Sequence, residues 1–134
     1  MRSNRYAAKG KPRMTVTVLT LLKRRPDMSK ADFIAYYETH HRRIGEKVLG
    51  PWAIRYERKH LHPMDGTDAD HDFDVAMEIE FADEAAMAAC FGALAEPETR
   101  REITEDEERL FDRPRMRVYR VEQHRSAMPH DKAG

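Results

Sequence analysis

The sequence predicts one α+β domain in which strands and helices follow the order βαββαβ. Apolar and alternating stretches at residues 14–22, 52–60, 73–81 and 116–122 have the length and period of β-strands. Two stretches with helical periodicity separate the first strand from the second and the third from the fourth. The chain has 134 residues, which suits a single hydrophobic core.

The first strand, residues 14–22, is apolar on both of its predicted faces. Val16, Val18 and Leu22 alternate with Leu19 and Leu21. Because successive side chains of a strand point to opposite faces, we expect both faces of the sheet to be covered at this strand.

The first helix is predicted over residues 29–44. Ser29, with Asp32 three positions later, approximates a capping box at its start. Gly45 and the Gly50-Pro51 pair interrupt the pattern, so we expect the helix to end there. At 100° per residue, one side of this helix carries seven apolar, aromatic or imidazole side chains. They are Phe33, Ile34, Tyr36, Tyr37, His40, His41 and Ile44.

The second half of the chain repeats the pattern. Asp83 is a predicted N-cap for a helix whose apolar residues include Cys90 and Leu94. Pro97 starts a new turn, and Thr104 with Glu107 predicts a short additional helix before the last strand. The clearest period-two alternation places five side chains on one face of the third strand, namely Phe73, Val75, Met77, Ile79 and Phe81.

The order βαββαβ is that of the ferredoxin-like fold, a four-stranded antiparallel sheet with helices on one face. The other face is then left bare, with Leu19 and Leu21 on it. Pairing two such sheets face to face covers it. We therefore predict a homodimer through the sheet faces, with a cleft in each subunit.

Three segments are expected along the chain. Residues 1–13 carry five Lys or Arg and no acidic residue, which is typical of a mobile basic tail. Residues 14–124 form the single domain, and residues 125–134 form a C-terminal tail.

Composition narrows the classes of partner and compartment. Lys plus Arg and Asp plus Glu both number 24, so no net field favours nucleic acid or an anionic membrane. The single cysteine, Cys90, has no intramolecular disulfide partner and fits a core position in a reducing compartment. The sequence has no apolar run of membrane-spanning length and no secretory h-region, so we expect a cytoplasmic protein.

The sequence contains little that indicates a bound cofactor or metal ion. The Gly-rich nucleotide motifs and the G-x-S-x-G elbow do not occur. His60, His62, His71 and Asp72 are zinc-ligand types around a predicted hairpin, but the loop lacks EF-hand spacing. We expect neither a cofactor nor a functional metal.

Several stretches resemble the EthD-like proteins. The segment LKRRPDMS at residues 22–29, followed by Phe33, Tyr36, Tyr37 and His41, resembles the opening of that family. Arg55-Tyr56 resembles the aromatic position of its second strand, and DEERLFD at residues 106–112 resembles its acidic stretch. The resemblance covers about residues 14–122.

The resemblance implies a dimeric α+β barrel with a pocket between sheet and helices for a small apolar molecule, often aromatic or polyketide-like. Related barrels include decarboxylases, cyclases, isomerases, dehalogenating lyases and cofactor-free oxygenases, so the fold leaves the reaction open. His41 matches the motif histidine, and Tyr37 occupies an aromatic position. Arg42-Arg43 replaces the usual small residue and proline, which alters the pocket mouth.

The leading hypothesis is a cofactor-free enzyme of lyase, decarboxylase, hydratase or isomerase type. In it His41 moves a proton at a carbon next to a carbonyl or phenol, because imidazole titrates near neutral pH. Tyr37 and Tyr56 hydrogen-bond the developing enolate, and Asp106 orients the imidazole. The predicted catalytic residues are His41, Tyr37 and Asp106, and the predicted substrate-binding residues are Tyr56, Phe33, Trp52 and His40.

Three alternatives stay open. The aromatic and imidazole residues of the first helix pack as ordinary core in the simplest one. In the second, the pocket carries a hydrophobic intermediate for a partner enzyme without changing it. In the third, the protein is a cofactor-independent oxygenase of electron-rich phenols.

Overall fold

The computed structural model describes residues 15–67 and 71–130. The predicted tail at residues 1–13 and the end of the predicted C-terminal tail lie outside these ranges. The strands are β1 (Val16–Leu22), β2 (Ala53–His60), β3 (Val75–Phe81) and β4 (Arg117–Arg120). The helices are α1 (Lys30–Tyr36), α2 (Arg42–Leu49), α3 (Glu84–Leu94) and α4 (Pro97–Leu110), with a π-helical turn at Tyr37–His41 and a 3₁₀ turn at Arg113–Arg115.

The four strands form one antiparallel sheet in the order β2-β3-β1-β4. The predicted α+β, ferredoxin-like arrangement is therefore confirmed. In β1 the side chains alternate between buried and half-buried positions, with Val16, Val18 and Leu22 buried. Leu19 and Leu21 are half-buried on the opposite face, as the sequence predicted.

The first helical region begins as predicted but does not end as predicted. The Ser29 side chain accepts a hydrogen bond from the Asp32 amide at 3.0 Å, which makes Ser29 the N-cap. Helical structure then continues through the π turn to Leu49, so the predicted end at Gly45 is wrong. A single helical glycine costs only about 1 kcal/mol, which packing offsets.

The second helical region differs from prediction in its last part. Asp83 caps α3 as expected, through a 2.8 Å bond from the Ala86 amide. α4 then runs for 14 residues from Pro97, so the predicted separate short helix beginning at Thr104 is wrong. Proline at a first helical position is preorganised for the helix, and nothing between Pro97 and Thr104 interrupts it.

The core divides into two clusters of buried side chains between sheet and helices. One contains Leu22, Phe33, Tyr37, Val75, Leu110 and Phe111. The other contains Val18, Leu49, Ile79, Phe81 and Cys90. Cys90 has no exposed surface, which confirms its predicted core position.

Backbone hydrogen bonds fix the end of α4 beside the end of β1. The Arg25 amide donates to the Leu110 carbonyl at 2.8 Å, and the Asp112 amide donates to the Lys23 carbonyl at 2.9 Å. Asp106 lies one helical turn before Leu110, so this junction holds Asp106 against the first helical region. Within the described ranges, no helix is both long and apolar enough to cross a membrane.

Candidate functional site

The Asp106 carboxylate is the centre of a polar cluster between α4 and the first helical region. His41 Nδ1 lies 2.7 Å from Asp106 Oδ2, and the Tyr36 hydroxyl donates to Oδ1. His40 Nδ1 and Arg109 Nη1 lie 3.2 Å and 3.7 Å from the same Oδ1. Asp106 is only 2% exposed, so its charge is compensated by these neighbours rather than by solvent.

The environment keeps Asp106 ionised. Burial opposes its ionisation, but the hydrogen bonds from Tyr36 and His41 outweigh burial and lower the pKa of Asp106. Burial and the hydrogen bond to Asp106 raise the pKa of Tyr36, so its phenol stays protonated and donates.

This arrangement selects one tautomer of the neutral His41 ring. A carboxylate only accepts hydrogen bonds, so Nδ1 carries the proton toward Asp106 and Nε2 keeps its lone pair. Nε2 makes no hydrogen bond to the described part of the chain. An imidazole held in this way is oriented as a proton acceptor at Nε2.

Aromatic rings surround His41 on its buried side. Tyr37 and Phe111 make edge-to-face contacts with it, at ring-centroid distances of 5.1 and 5.4 Å. Phe33 in turn contacts Tyr37 at 5.9 Å and Phe111 at 5.8 Å. Tyr37 and Phe33 have no exposed surface, so they form the dry wall of the site.

The π turn decides which of the two adjacent histidines is buried. At 100° per residue, side chains four apart drift by about 40° per step, and the wider π turn removes this drift. Phe33, Tyr37 and His41 therefore stay in one buried column. The His40 side chain is 51% exposed and stacks on Tyr36 at 4.9 Å. The prediction that His40 also lies on the buried side is wrong.

Tyr56 on β2 completes the wall through a close contact with the helix. A Cβ added at Gly45 would lie 2.5 Å from the Tyr56 hydroxyl oxygen, so only glycine permits this approach. Burial is the main cause that raises the pKa of Tyr56. Burial and the neighbouring Tyr56 phenol raise the pKa of Tyr37 well above its usual value.

A second polar cluster lies on the β2 side of Tyr37. Glu38 accepts hydrogen bonds from Arg58 Nη2 at 2.6 Å and from Arg58 Nε at 3.1 Å, and its carboxylate lies 2.7 Å from His60 Nε2. The Arg58 hydrogen bonds are the main cause that lowers the pKa of Glu38 from 4.5 to about 2. The Arg58 guanidinium also stacks 4.9 Å from the centre of the Tyr56 ring.

Two buried polar atoms of this region have no hydrogen-bond partner in the described part of the chain. They are the Tyr37 hydroxyl and His60 Nδ1. The rings that carry them are 5.5 Å apart, edge to face. Buried polar atoms are nearly always satisfied, so these two atoms are unusual among the described residues.

The structure brings most of the predicted site residues together. His41, Asp106, Tyr37, Phe33 and Tyr56 form a continuous set, with His40 at its exposed edge. Trp52 packs against the other core cluster, around Leu49 and Phe81, on which Tyr56 also lies. No three His, Cys, Asp or Glu side chains group as a metal site among residues 15–67 and 71–130.

Sequence reasoning missed the polar residues that complete the site. Tyr36 lies four residues before His40, so the two rings stack on one side of the helix. The Tyr36 hydroxyl donates to Asp106 from this position. Tyr56, Arg58 and His60 are spaced two residues apart and therefore share the inner face of β2. This period-two spacing was the available sequence signal. Glu38 follows Tyr37 directly and has no distinguishing sequence signal.

The family model for the EthD domain matches residues 25–114, most of the described chain. The chain belongs to the EthD family. No curated protein sequence matches it. The matched region contains both the His41–Asp106 pair and the Glu38 cluster, so the family assignment covers the whole site.

Solved structures show the same fold at low sequence identity. An EthD family protein from Bacillus halodurans C-125 superposes with a TM-score of 0.59 at 15% identity, covering 83% of this chain and all of that one. HapK from Hahella chejuensis gives 0.54 at 13% identity, over 84% and 96% of the two chains. SnoaB, a cofactor-independent oxygenase from Streptomyces nogalater, gives 0.53 at 15% identity, over 87% and 98%.

Proposed function

We propose that this EthD protein is an enzyme that moves a proton on a small hydrophobic, carbonyl-bearing or phenolic molecule without a cofactor. The observation that carries the proposal is the buried His41–Asp106 pair, joined at 2.7 Å, with His41 Nε2 unengaged. In this proposal His41 is the base and Asp106 orients it. Tyr37 supplies a hydroxyl near the developing oxyanion. Phe33 and Tyr56 contribute the apolar and aromatic walls.

The proposed step balances within the site. His41 Nε2 takes a proton from a carbon next to the carbonyl, and the C–H electron pair moves into the carbonyl as an enolate. Asp106 stabilises the resulting imidazolium, and Tyr37 donates to the enolate oxygen. Return of the proton to another carbon gives isomerisation. Loss of a leaving group from the β-carbon of the enolate gives lyase chemistry. In decarboxylation of a 3-oxo acid no C–H proton is removed first: the C–C bond breaks, its electron pair forms the enolate as carbon dioxide leaves, and a His41 imidazolium protonates that enolate.

The neutral state of Tyr37 fits this role. Burial and Tyr56 raise the pKa of its phenol well above the usual value, so it remains a donor at physiological pH. Its hydroxyl lies beside the Tyr56 phenol but not in hydrogen-bonding geometry, so no strong intramolecular bond must be broken before it meets an oxyanion.

Two further functions remain as candidates. The likeness to SnoaB, a cofactor-independent oxygenase, favours an oxygenase reaction, in which a phenolate formed by His41 reacts with dioxygen. The full burial of Tyr37 and Phe33 also fits a carrier that holds an apolar intermediate without reacting.

One experiment separates these functions. The protein is incubated with a panel of aromatic 3-oxo acids and polyhydroxylated aromatics, and the products are analysed by mass spectrometry with oxygen consumption recorded. Loss of carbon dioxide or water, or isomerisation at unchanged mass, supports the proposal. Oxygen uptake with gain of oxygen supports the oxygenase, and tight retention of an unchanged ligand supports the carrier.

The matched variants are His41→Ala and His124→Ala. We expect His41→Ala to lower turnover about 10²–10⁴-fold, the contribution of a positioned base. His124 has an 82% exposed side chain and serves as the control that leaves turnover unchanged. Undiminished turnover in His41→Ala would overturn the proposed function.

A further inference from the structure

We propose that His60 and Tyr37 form a second polar subsite, on the β2 side of Tyr37, that binds a hydroxyl group of the ligand. The inference rests on the proposed function for its ligand class, a small aromatic molecule, and it extends that class to molecules carrying a second oxygen substituent. His60 becomes a ligand-binding residue, distinct from the proton-moving His41.

Glu38 fixes the tautomer of the neutral His60 ring. Glu38 lies 2.7 Å from Nε2 of His60. A carboxylate only accepts, so in the neutral ring Nε2 carries the proton and Nδ1 keeps its lone pair. The unpartnered atom of His60 is this Nδ1, which is therefore a buried acceptor.

The negative charge of Glu38 is compensated by Arg58. Arg58 binds both Glu38 oxygens, at 2.6 and 3.1 Å, so the carboxylate is already neutralised without a charge on His60. A buried neutral acceptor favours a neutral donor over an anion, because the anion would bring an uncompensated charge beside Glu38. The matching ligand group is a hydroxyl.

The two atoms without a hydrogen bond, the Tyr37 hydroxyl oxygen and His60 Nδ1, belong to neighbouring rings. The Tyr37 and His60 rings are in contact at 5.5 Å between centroids, and Tyr37 has no exposed surface. A ligand hydroxyl that donates to His60 Nδ1 keeps lone pairs that accept from the Tyr37 hydroxyl. One group thus satisfies both orphaned atoms.

Aromatic rings surround the two residues of this subsite. Phe33 contacts both partners edge to face, at 5.9 Å from Tyr37 and 6.3 Å from His60. Tyr37 also contacts His41 at 5.1 Å. It therefore lies between the two imidazoles, each of which is held by a carboxylate, Asp106 for His41 and Glu38 for His60.

The test uses resorcinol and 3-methylphenol as probes. Resorcinol carries a second hydroxyl where 3-methylphenol carries a methyl group. Imidazole ¹⁵N chemical shifts of the full-length protein are recorded while each probe is added. We expect resorcinol to shift both His41 Nε2 and His60 Nδ1. We also expect resorcinol to bind roughly tenfold more tightly than 3-methylphenol, the contribution of about one added hydrogen bond.

The variants sharpen the test. His60→Phe keeps the Arg58–Glu38 pair and removes the acceptor, so the preference for resorcinol should fall to near onefold. Tyr37→Phe, which removes one oxygen atom, should reduce the same preference. His62→Phe, at an exposed position two residues beyond on the chain, is the control that keeps it.

Each outcome has a separate meaning. A response of His41 Nε2 with no response of His60 Nδ1 leaves the proposed function standing and overturns the second subsite, because the two orphaned atoms then hold only water. A response of His60 alone supports the subsite and counts against His41 as the base. No response of either histidine overturns the subsite and removes phenols from the ligand class. The wild-type spectra decide this even where a variant does not fold.

Discussion

At the scale of single residues, the Tyr37 hydroxyl is one of two buried polar groups in the described core that make no hydrogen bond of good geometry. It is fully buried without a hydrogen-bond partner, a state that costs about 1–3 kcal/mol. Phenylalanine would fill the same space without this cost, and the hydroxyl is the group that the proposed function assigns to the ligand.

Tyr37→Phe should therefore raise stability and lower function. We expect the variant to be more stable by about 1 kcal/mol, a rise in Tm of several degrees for a domain of this size. Turnover or ligand binding should fall in the same variant. Thermal unfolding and the product assay measure both, and a lower Tm for Tyr37→Phe would contradict the account of an unsatisfied hydroxyl.

Glu38 makes the stability depend on acid pH. Its folded pKa of about 2 lies below the ordinary 4.5, so its stabilisation is present above pH 4.5 and is lost as the pH falls toward 2. We expect a loss on the order of 1–2 kcal/mol, allowing for solvent screening of a side chain that is about one-third exposed.

Glu38→Gln is the variant that isolates this effect. The free energy of unfolding, measured by urea titration at several pH values from 5 to 2, should fall less steeply in Glu38→Gln than in the wild type. Identical slopes would show that Glu38 titrates alike in the folded and unfolded chains. The control is Glu122→Gln, whose carboxylate is 86% exposed.

Residue chemistry was predictable from sequence to a limited depth. The motif resemblance placed His41 and Asp106 in one site, and the structure joins them at 2.7 Å. It included Tyr36 without giving it a role and did not include His60 or Glu38, because their roles depend on which strand residue faces which helix turn. That pairing is set by tertiary packing rather than by spacing along one element.

At the scale of elements, the π turn at Tyr37–His41 and the glycine after it shape the site together. The turn holds Tyr37 and His41 in one column, and Gly45 lets Tyr56 approach the helix. A helical wheel assumes 3.6 residues per turn throughout, so it misplaces His40 at a π turn. Both the turn and the contact are invisible to periodicity alone.

Gly45→Ala tests this close contact. Its Cβ would meet the Tyr56 hydroxyl oxygen at 2.5 Å and the adjacent ring carbon at 2.8 Å, so Tyr56 must move. We expect a loss of about 1–3 kcal/mol in stability, as in other overpacked sites, together with weaker ligand binding.

Gly92→Ala is the matched control. Gly92 lies within α3, and an added Cβ there meets nothing within 4 Å. The exchange should raise stability by about 0.5–1 kcal/mol, because alanine is the better helix former. Equal effects of the two substitutions on the free energy of unfolding would show that the contact with Tyr56 is unimportant.

At the scale of the whole molecule, the open face of the sheet supports the predicted homodimer. Leu19 and Leu21 are half-buried on it, and Tyr119, which pairs with Leu19, is 49% exposed. A groove of about 910 Å³ crosses the same face. Its Arg55 is paired with Glu78 and Glu80 at 3.1 and 2.9 Å, so these charges are compensated when covered.

Leu21→Lys should convert the proposed dimer into a monomer by placing an unpaired charge at the interface. Val118→Lys is the control, because Val118 pairs with Thr20, whose side chain faces the helices. Light scattering after gel filtration measures the mass. A wild-type mass of one chain, or an unchanged dimer in Leu21→Lys, would contradict pairing through this face.

The overall architecture was the most predictable level. Strand alternation and the Ser29 and Asp83 caps sufficed for the order βαββαβ, because each signal is local. The predicted helix end at Gly45 and the predicted helix start at Thr104 were wrong, since tertiary packing outweighs a weak local signal. Assembly and ligand depend on surfaces that meet another molecule, which a single chain's pattern only suggests.

In the proposed function His41, oriented by Asp106, moves a proton on the ligand. The most direct measurement is deuterium incorporation into an identified substrate in D₂O, followed by NMR for the wild type, His41→Ala and Asp106→Asn. We expect incorporation at the carbon next to the carbonyl, slowed about 10²–10⁴-fold in His41→Ala and markedly slowed in Asp106→Asn, which no longer fixes the tautomer. Incorporation at the wild-type rate in His41→Ala would contradict it.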